Sequence, residues 1–173
     1  LAPLVKDLYI MDLPQMKTDT GRALLKEEYR KFIAKLESVS GKKITAESLQ
    51  KGIDIVNAKR RAVKRLAGIR AADQAPISGL DALLVNQVFF YDDPIRFTDS
   101  VNKLCDELED RVKNGIGVFA QGTTRVLVSG CPMAVPNWKL PMMIESSKAV
   151  IVGEESCVGE RGTRWLTEPK GNT

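Results

Sequence analysis

Two short β-branched runs constrain this chain more than any other feature. Arg125-Val126-Leu127-Val128 stops at Ser129-Gly130, and Ala149-Val150-Ile151-Val152 stops at Gly153. Between them, Trp138 to Ser147 has a helical period, with Pro136 before its first turn and Pro141 inside or beside it. Strand, helix, strand in that order demands a right-handed crossover and a parallel pair. Two parallel strands cannot form a covered sheet. Completion is expected from earlier residues, another chain or sequence outside the 173 residues. The expected class is therefore α/β: a mainly helical region over 1–122, then an incomplete parallel βαβ unit over 123–173.

Upstream, apolar spacing predicts helices. Leu25, Tyr29, Phe32 and Leu36 form one face of a helix over about Thr20 to Leu36, ended by Gly41. Thr45 stands where an N-cap belongs, with Glu47 in the first turn, opening a helix from Ala46 to about Ala71. Leu49, Ile53, Val56, Val63 and Leu66 share its apolar side, and Arg60, Arg61, Lys64 and Arg65 the other. Leu80 to Phe90 begins helix-like, and Tyr91-Asp92-Asp93-Pro94 reads as a break. A further helix is expected from about Asp99 to Lys113, its face made by Phe97, Val101, Leu104, Leu108 and Val112. Residues 1–18, with Pro3 and Pro14, read as an extended lead-in. The absence of an initial Met and the close on Pro169-Lys170-Gly171-Asn172-Thr173 are expected to be cut points of a longer chain.

Composition removes several chemistries. There is no histidine, so within these residues His triads, His-ligated zinc or haem and His general bases are excluded. Three irregularly spaced cysteines are no disulfide scaffold and suit a reducing, cytoplasmic setting. No apolar run reaches the roughly 18 residues of a membrane span. Leu1-Ala2-Pro3-Leu4 lacks the features of a leader, and none is expected. A net charge of +4 is too small to argue for nucleic acid.

Some motifs have ordinary explanations. Gly115-Ile116-Gly117-Val118-Phe119-Ala120 fits G-x-G-x-x-A, but it follows a helix and precedes a strand, the reverse of a dinucleotide site; a glycine C-cap accounts for it. There is no P-loop. The basic run from Lys59 to Arg70 reads as the solvated face of its helix, with no aromatic residue for a single-strand binder. Cys105, beside Leu104 and among acidic residues, reads as a small apolar residue with no chemistry.

The informative residues are Cys131 and Cys157. Each lies just past the carboxyl end of an expected strand, the edge where open α/β sheets bind ligands, and each has glycine nearby. Adjacent strands are about 4.8 Å apart, so both thiols are expected to face one crevice. Arg161 and Arg164 would favour the thiolate form. Soft thiolates without histidine suit an iron–sulfur cluster or zinc, but two ligands complete neither. Buried structural thiols and a redox disulfide stay open as alternatives.

The run Arg125-Val-Leu-Val-Ser-Gly-Cys-Pro-Met-Ala-Val-Pro-Asn-Trp-Lys-Leu-Pro141, then Ile144-Glu145-Ser146, then Ala149-Val-Ile-Val-Gly-Glu-Glu-Ser-Cys-Val-Gly-Glu-Arg161-Gly-Thr-Arg164, closely resembles the 2-hydroxyacyl-CoA dehydratase family. Gly41 to Leu49, Asn57 and Ile77-Ser-Gly-Leu-Asp81 are similar to its helical middle region. The family includes the D component of 2-hydroxyglutaryl-CoA dehydratase and benzoyl-CoA reductase subunits. The paired cysteines look most like its double-cubane-cluster branch; many members lack a cysteine at the position of Cys131.

The resemblance implies Rossmann-like domains joined by helices, and cysteine-held iron–sulfur clusters fed one low-potential electron by an ATP-hydrolysing activator protein. In the dehydratases that electron makes a ketyl radical of the acyl-CoA thioester and lets water leave; in the double-cubane branch a small substrate is reduced. Carried over by position, Cys131 and Cys157 are the implied cluster ligands, with Glu155, Glu154 and Arg161 as hydrogen-bonding neighbours. A second dehydratase subunit or a homo-oligomer is the implied assembly, with no nucleic acid and no membrane. Two departures stand out. Lys148 occupies a position where the family favours glycine, so it must avoid positive φ or accept strain. The family's N-terminal cysteine-bearing domain and C-terminal cysteines are missing, so the isolated chain is expected to bind no cluster and to be inactive. The competing readings are a non-catalytic CoA- or nucleotide-binding module using the basic helix and a subunit-assembly module.

Overall fold

The computed structural model describes residues 8–134 and 136–168. Pro3, the first four residues, Val135 and the closing 169–173 lie outside the described residues. The chain divides into two compact units, residues 1–49 and 50–173.

In the first unit, α1 runs Asp19–Ser40. Its N-cap is Thr18, whose hydroxyl accepts from the Gly21 N–H at 3.1 Å, and Gly41 ends it in the left-handed region at φ 67°. The expected apolar face is only partly covered. Leu25 and Phe32 are half-buried, whereas Tyr29 and Leu36 are exposed; Tyr9 lies against Phe32 at 5.6 Å between ring centres. The buried positions are instead Gly21 and Glu28.

The helix α2 spans Ala46–Arg70. Thr45 caps it as expected, and Ser48 returns the favour: the Ser48 N–H donates to Thr45 Oγ1 at 3.1 Å and the Thr45 N–H to Ser48 Oγ at 2.9 Å. The sequence misplaces part of its faces. Val56 is exposed, while Lys59 and Arg70 are buried. Burial of these cations is possible because each finds partners: the Lys59 ammonium donates to the Phe89 carbonyl and sits 4.0 Å over the Phe89 ring. Arg65 is bound to Asp106 at 2.6 Å and Glu109 at 2.9 Å. The basic run is therefore not simply a solvated face.

The next helix, α3, spans Gly79–Val88 with Ser78 as N-cap, and α4 spans Pro94–Lys113. The expected break at Tyr91–Pro94 is thus the start of α4. Proline fits the first helical position, where its missing N–H costs nothing, and Asp93 caps the Ile95 and Arg96 N–H groups at 3.0 Å. Ala62, Val63 and Leu66 meet Ala82, Phe97, Val101, Cys105 and Leu108 in one hydrophobic core. After α4, the Ile116 N–H reaches Arg111 O at 2.9 Å and the Gly115 N–H reaches Val112 O at 3.1 Å. This is a Schellman cap with Gly115 at φ 64°, so the G-x-G-x-x-A run is a helix terminus.

Strand β1 (Thr124–Ser129) pairs in parallel with β2 (Ala149–Glu155), and α5 (Lys139–Ser146) lies between them in sequence. The fold is α/β, as expected. Among the described residues the sheet has these two strands. Packed by α3 and α5, β2 is largely buried. The other strand is not: Leu127 is 67% exposed. The register runs Thr124 to Ala149 through Val126 to Ile151, then resumes at Leu127 to Gly153, leaving Val152 as a bulge. Lys148, just before β2, has φ 63° and so takes the strained option. Glu145 ties the unit together by accepting from the Gly79 N–H at 2.7 Å and the Ile151 N–H at 3.3 Å.

Candidate active site

The two strands end level with each other. Ser129 is paired with Glu155, and Gly130 N–H adds a bond to Glu155 O at 3.2 Å. Cys131 and Cys157 each stand two residues beyond that last pair, at the same edge of the sheet. Both are free and exposed. Cys105, by contrast, is fully buried in the helical core, and burial pushes its thiol up to about 11.

The loop after β2 is built to hold its shape. Glu154 is 2% exposed and accepts from the Ser156 hydroxyl at 2.7 Å. Ser156 Oγ in turn accepts from the Gly159 N–H at 3.1 Å, and Glu154 O accepts from the Glu160 N–H at 2.9 Å. A Cβ on Gly159 would run into the Glu154 carbonyl, so this close turn requires glycine. Below the loop, Arg70 is 2% exposed. It donates to Glu160 at 3.1 Å and to the Ile151 carbonyl at 3.0 Å. Burial lowers the Arg70 pKa and raises that of Glu160, each opposed by the charge of the other.

Beside Cys157 lies a charged clamp. Arg161 grips the Glu155 carboxylate through Nε at 2.5 Å and Nη2 at 2.6 Å. Ser129 Oγ donates to the same carboxylate at 3.0 Å. Arg161 holds Glu155 down to about 2, with Ser129 helping. The remaining Arg161 nitrogen, Nη1, points to Cys157 Sγ at 3.7 Å. An arginine fixed this way presents N–H and positive charge to a sulfur.

Cys157 also borders a largely apolar hollow of about 690 Å³, with Leu84, Val88, Phe90, Tyr91 and Val158 in its wall. That volume is in the range of small-molecule sites. The thiols of Cys131 and Cys157 suit a thiophilic metal or cluster by charge and softness. They are two donors: among the described residues no group of three or more Cys, Asp or Glu is arranged to hold a metal ion. Ser129 and Arg70 escape the sequence reading, since their partners are 26 and 90 residues away in the chain. The Gly153–Gly159 run was the available signal, because glycine on both sides of two acids marks a tight return. No helix among the described residues is long and apolar enough to cross a membrane.

Comparison with known proteins places this geometry in context. The family model described as 2-hydroxyglutaryl-CoA dehydratase, D-component, matches residues 1–173. A protein of Escherichia coli (strain K12) named "Putative dehydratase subunit YjiM" is 28% identical over 172 residues, covering 96% of this chain and 44% of the relative. The (R)-phenyllactyl-CoA dehydratase beta subunit of Clostridium sporogenes is 29% identical over 157 residues, covering 91% of this chain and 40% of the relative. The chain thus spans less than half the length of these relatives.

Proposed function

The chain belongs to the 2-hydroxyglutaryl-CoA dehydratase D-component family, and from that premise we propose that it is part of an iron–sulfur-dependent enzyme that removes water from a 2-hydroxyacyl-CoA. The observation that carries this reading is the level placement of Cys131 and Cys157 at one sheet edge, both exposed. Their sulfurs would hold the cluster as two of its ligands, the others coming from residues beyond those described. A cluster so held supplies one-electron chemistry to the thioester when it is charged by an ATP-hydrolysing activator protein.

This chain's own residues do the positioning. The Glu155–Arg161 clamp fixes one guanidinium N–H toward Cys157 Sγ, which offsets negative charge gathered on that sulfur. The apolar wall of Leu84, Val88, Phe90 and Val158 beside Cys157 offers a surface to an acyl chain. The exposed β1 supports a reading in which 123–173 is the start of a Rossmann-like domain, completed by further strands. A second dehydratase subunit or another copy of the protein completes the assembly in the cytoplasm, where free thiols stay reduced. Both relatives are named as dehydratases, which favours dehydration over the ATP-dependent reduction of the double-cubane branch.

Anaerobic reconstitution with iron and sulfide tests the reading. The expected result is visible cluster absorption in the full-length protein, lost or much reduced in Cys131→Ser and in Cys157→Ser. Unchanged spectra in both variants would remove the two thiols from the ligand set. The chain of 173 residues alone is expected to hold no stable cluster and to show no turnover.

A further inference from the structure

A second hollow, of about 580 Å³, has Lys64, Leu127, Arg164 and Trp165 in its wall, together with Glu155 and Glu160. Its charges can be assigned pair by pair. Arg161 holds Glu155, and Arg70 holds Glu160. Those four charges cancel. Lys64 and Arg164 have no carboxylate of their own in an ion pair among the described residues. In the wall itself three cations, Lys64, Arg161 and Arg164, stand against the two carboxylates, a surplus of one positive charge.

Beside that charge stands a large ring in water. Trp165 is 74% exposed, with the Arg164 guanidinium carbon 5.4 Å from its ring centre. The segment presenting it is fastened down. Asn57 Nδ2 donates to Thr167 O at 2.7 Å and the Thr167 N–H donates back to Asn57 Oδ1 at 2.9 Å. Arg60 adds a bond to the Thr167 hydroxyl at 2.9 Å. A pinned, exposed indole beside two cations that stand in no ion pair matches a ligand with a flat ring at one end and negative charge at the other. The volume lies within the range of small-molecule pockets.

We propose that this hollow binds a nucleoside phosphate, its base stacked on Trp165 and its phosphates between Lys64 and Arg164. The nucleotide is either free or the adenosine phosphate end of a CoA thioester. Only the second source rests on the acyl-CoA reading above.

The test is calorimetric titration of the protein with ADP, CoA and inorganic phosphate at low salt, repeated on Lys64→Glu, Arg164→Glu and Trp165→Leu. All three side chains are exposed, and circular dichroism checks that each variant folds. Expected are saturable binding of ADP or CoA, at least about tenfold weaker binding in each charge reversal (about 1.4 kcal/mol), and loss of the preference for nucleotide over phosphate in Trp165→Leu. CoA binding at or above ADP identifies the thioester as the source; ADP binding well above CoA identifies a free nucleotide. Absence of binding at about millimolar ligand, or binding indifferent to the charge reversals, overturns the proposal. Nucleotide binding is read by calorimetry and the cluster by its absorption, so failure of this proposal is distinguishable from failure of the iron–sulfur reading.

Discussion

Ser129 and Glu155 are opposite partners in the parallel ladder, and the Ser129 hydroxyl donates to the Glu155 carboxylate at 3.0 Å. The same carboxylate is gripped by Arg161, which holds its pKa down to about 2. A carboxylate depressed on folding contributes its full stabilisation above the unfolded value of about 4.3. That contribution fades as pH falls from there toward about 2. Glu155→Gln is therefore expected to flatten the acid side of the stability profile, with little change near neutrality beyond the loss of an exposed pair. Urea midpoints measured from neutral pH down into the acid range check this; an acid limb as steep as in the parent would contradict it.

Arg70 and Glu160 form the other ion pair of the loop, and here burial changes the scale. Arg70→Met strips partners from Glu160 and from the Ile151 carbonyl. The expected cost is about 3 kcal/mol, the low end for breaking a buried pair because Glu160 keeps some contact with water. Arg70→Met with Glu160→Gln together should cost less than the sum of the two, as a double-mutant cycle in urea would show. Strict additivity would mean the two side chains do not share an interaction.

Lys148 holds φ 63° without being glycine. Lys148→Gly relieves a left-handed penalty of about 1–2 kcal/mol and loses part of that to unfolded-chain entropy. The net expectation is a gain of roughly 0.5–1 kcal/mol, seen as a higher urea midpoint with an unchanged slope. Lys148→Val should move the midpoint the other way, because β-branching suits that backbone region still less.

Thiol titration separates the three cysteines. Cys131 and Cys157 are exposed and Cys105 is fully buried. A disulfide reagent at mildly alkaline pH should modify two thiols quickly, the third only once the chain unfolds. Cys105 stays protonated there, because burial has pushed it up to about 11. Fast labelling of all three in the native protein would place Cys105 outside the core.

The sequence exposes some of this architecture and hides the rest for identifiable reasons. Thr45 and Gly41 act through neighbours a few residues away, so helix ends at those points are readable locally. The parallel pair and the shared edge of Cys131 and Cys157 follow from element order alone. Pro94 misleads because a proline that breaks a helix and one that opens it look alike until Asp93 is seen to cap. Val56 exposed and Arg70 buried invert the helical face because tertiary partners outweigh hydropathy: Arg70 meets Glu160, which lies 90 residues on. Leu127 stays exposed because periodicity does not say which side of a strand will have a neighbour.

The single unmatched residue at Val152 has a consequence for the two cysteines at the sheet edge. Ahead of it, partners in the ladder differ by 25 in number, as in Val126 with Ile151; after it they differ by 26, as in Ser129 with Glu155. Cys131 and Cys157 also differ by 26. Deleting Val152 would slide the end of the second strand back by one step, so that Cys157 would no longer stand level with Cys131 beyond the last pair. One inserted residue, rather than any contact between the thiols, is what sets the two cysteines level.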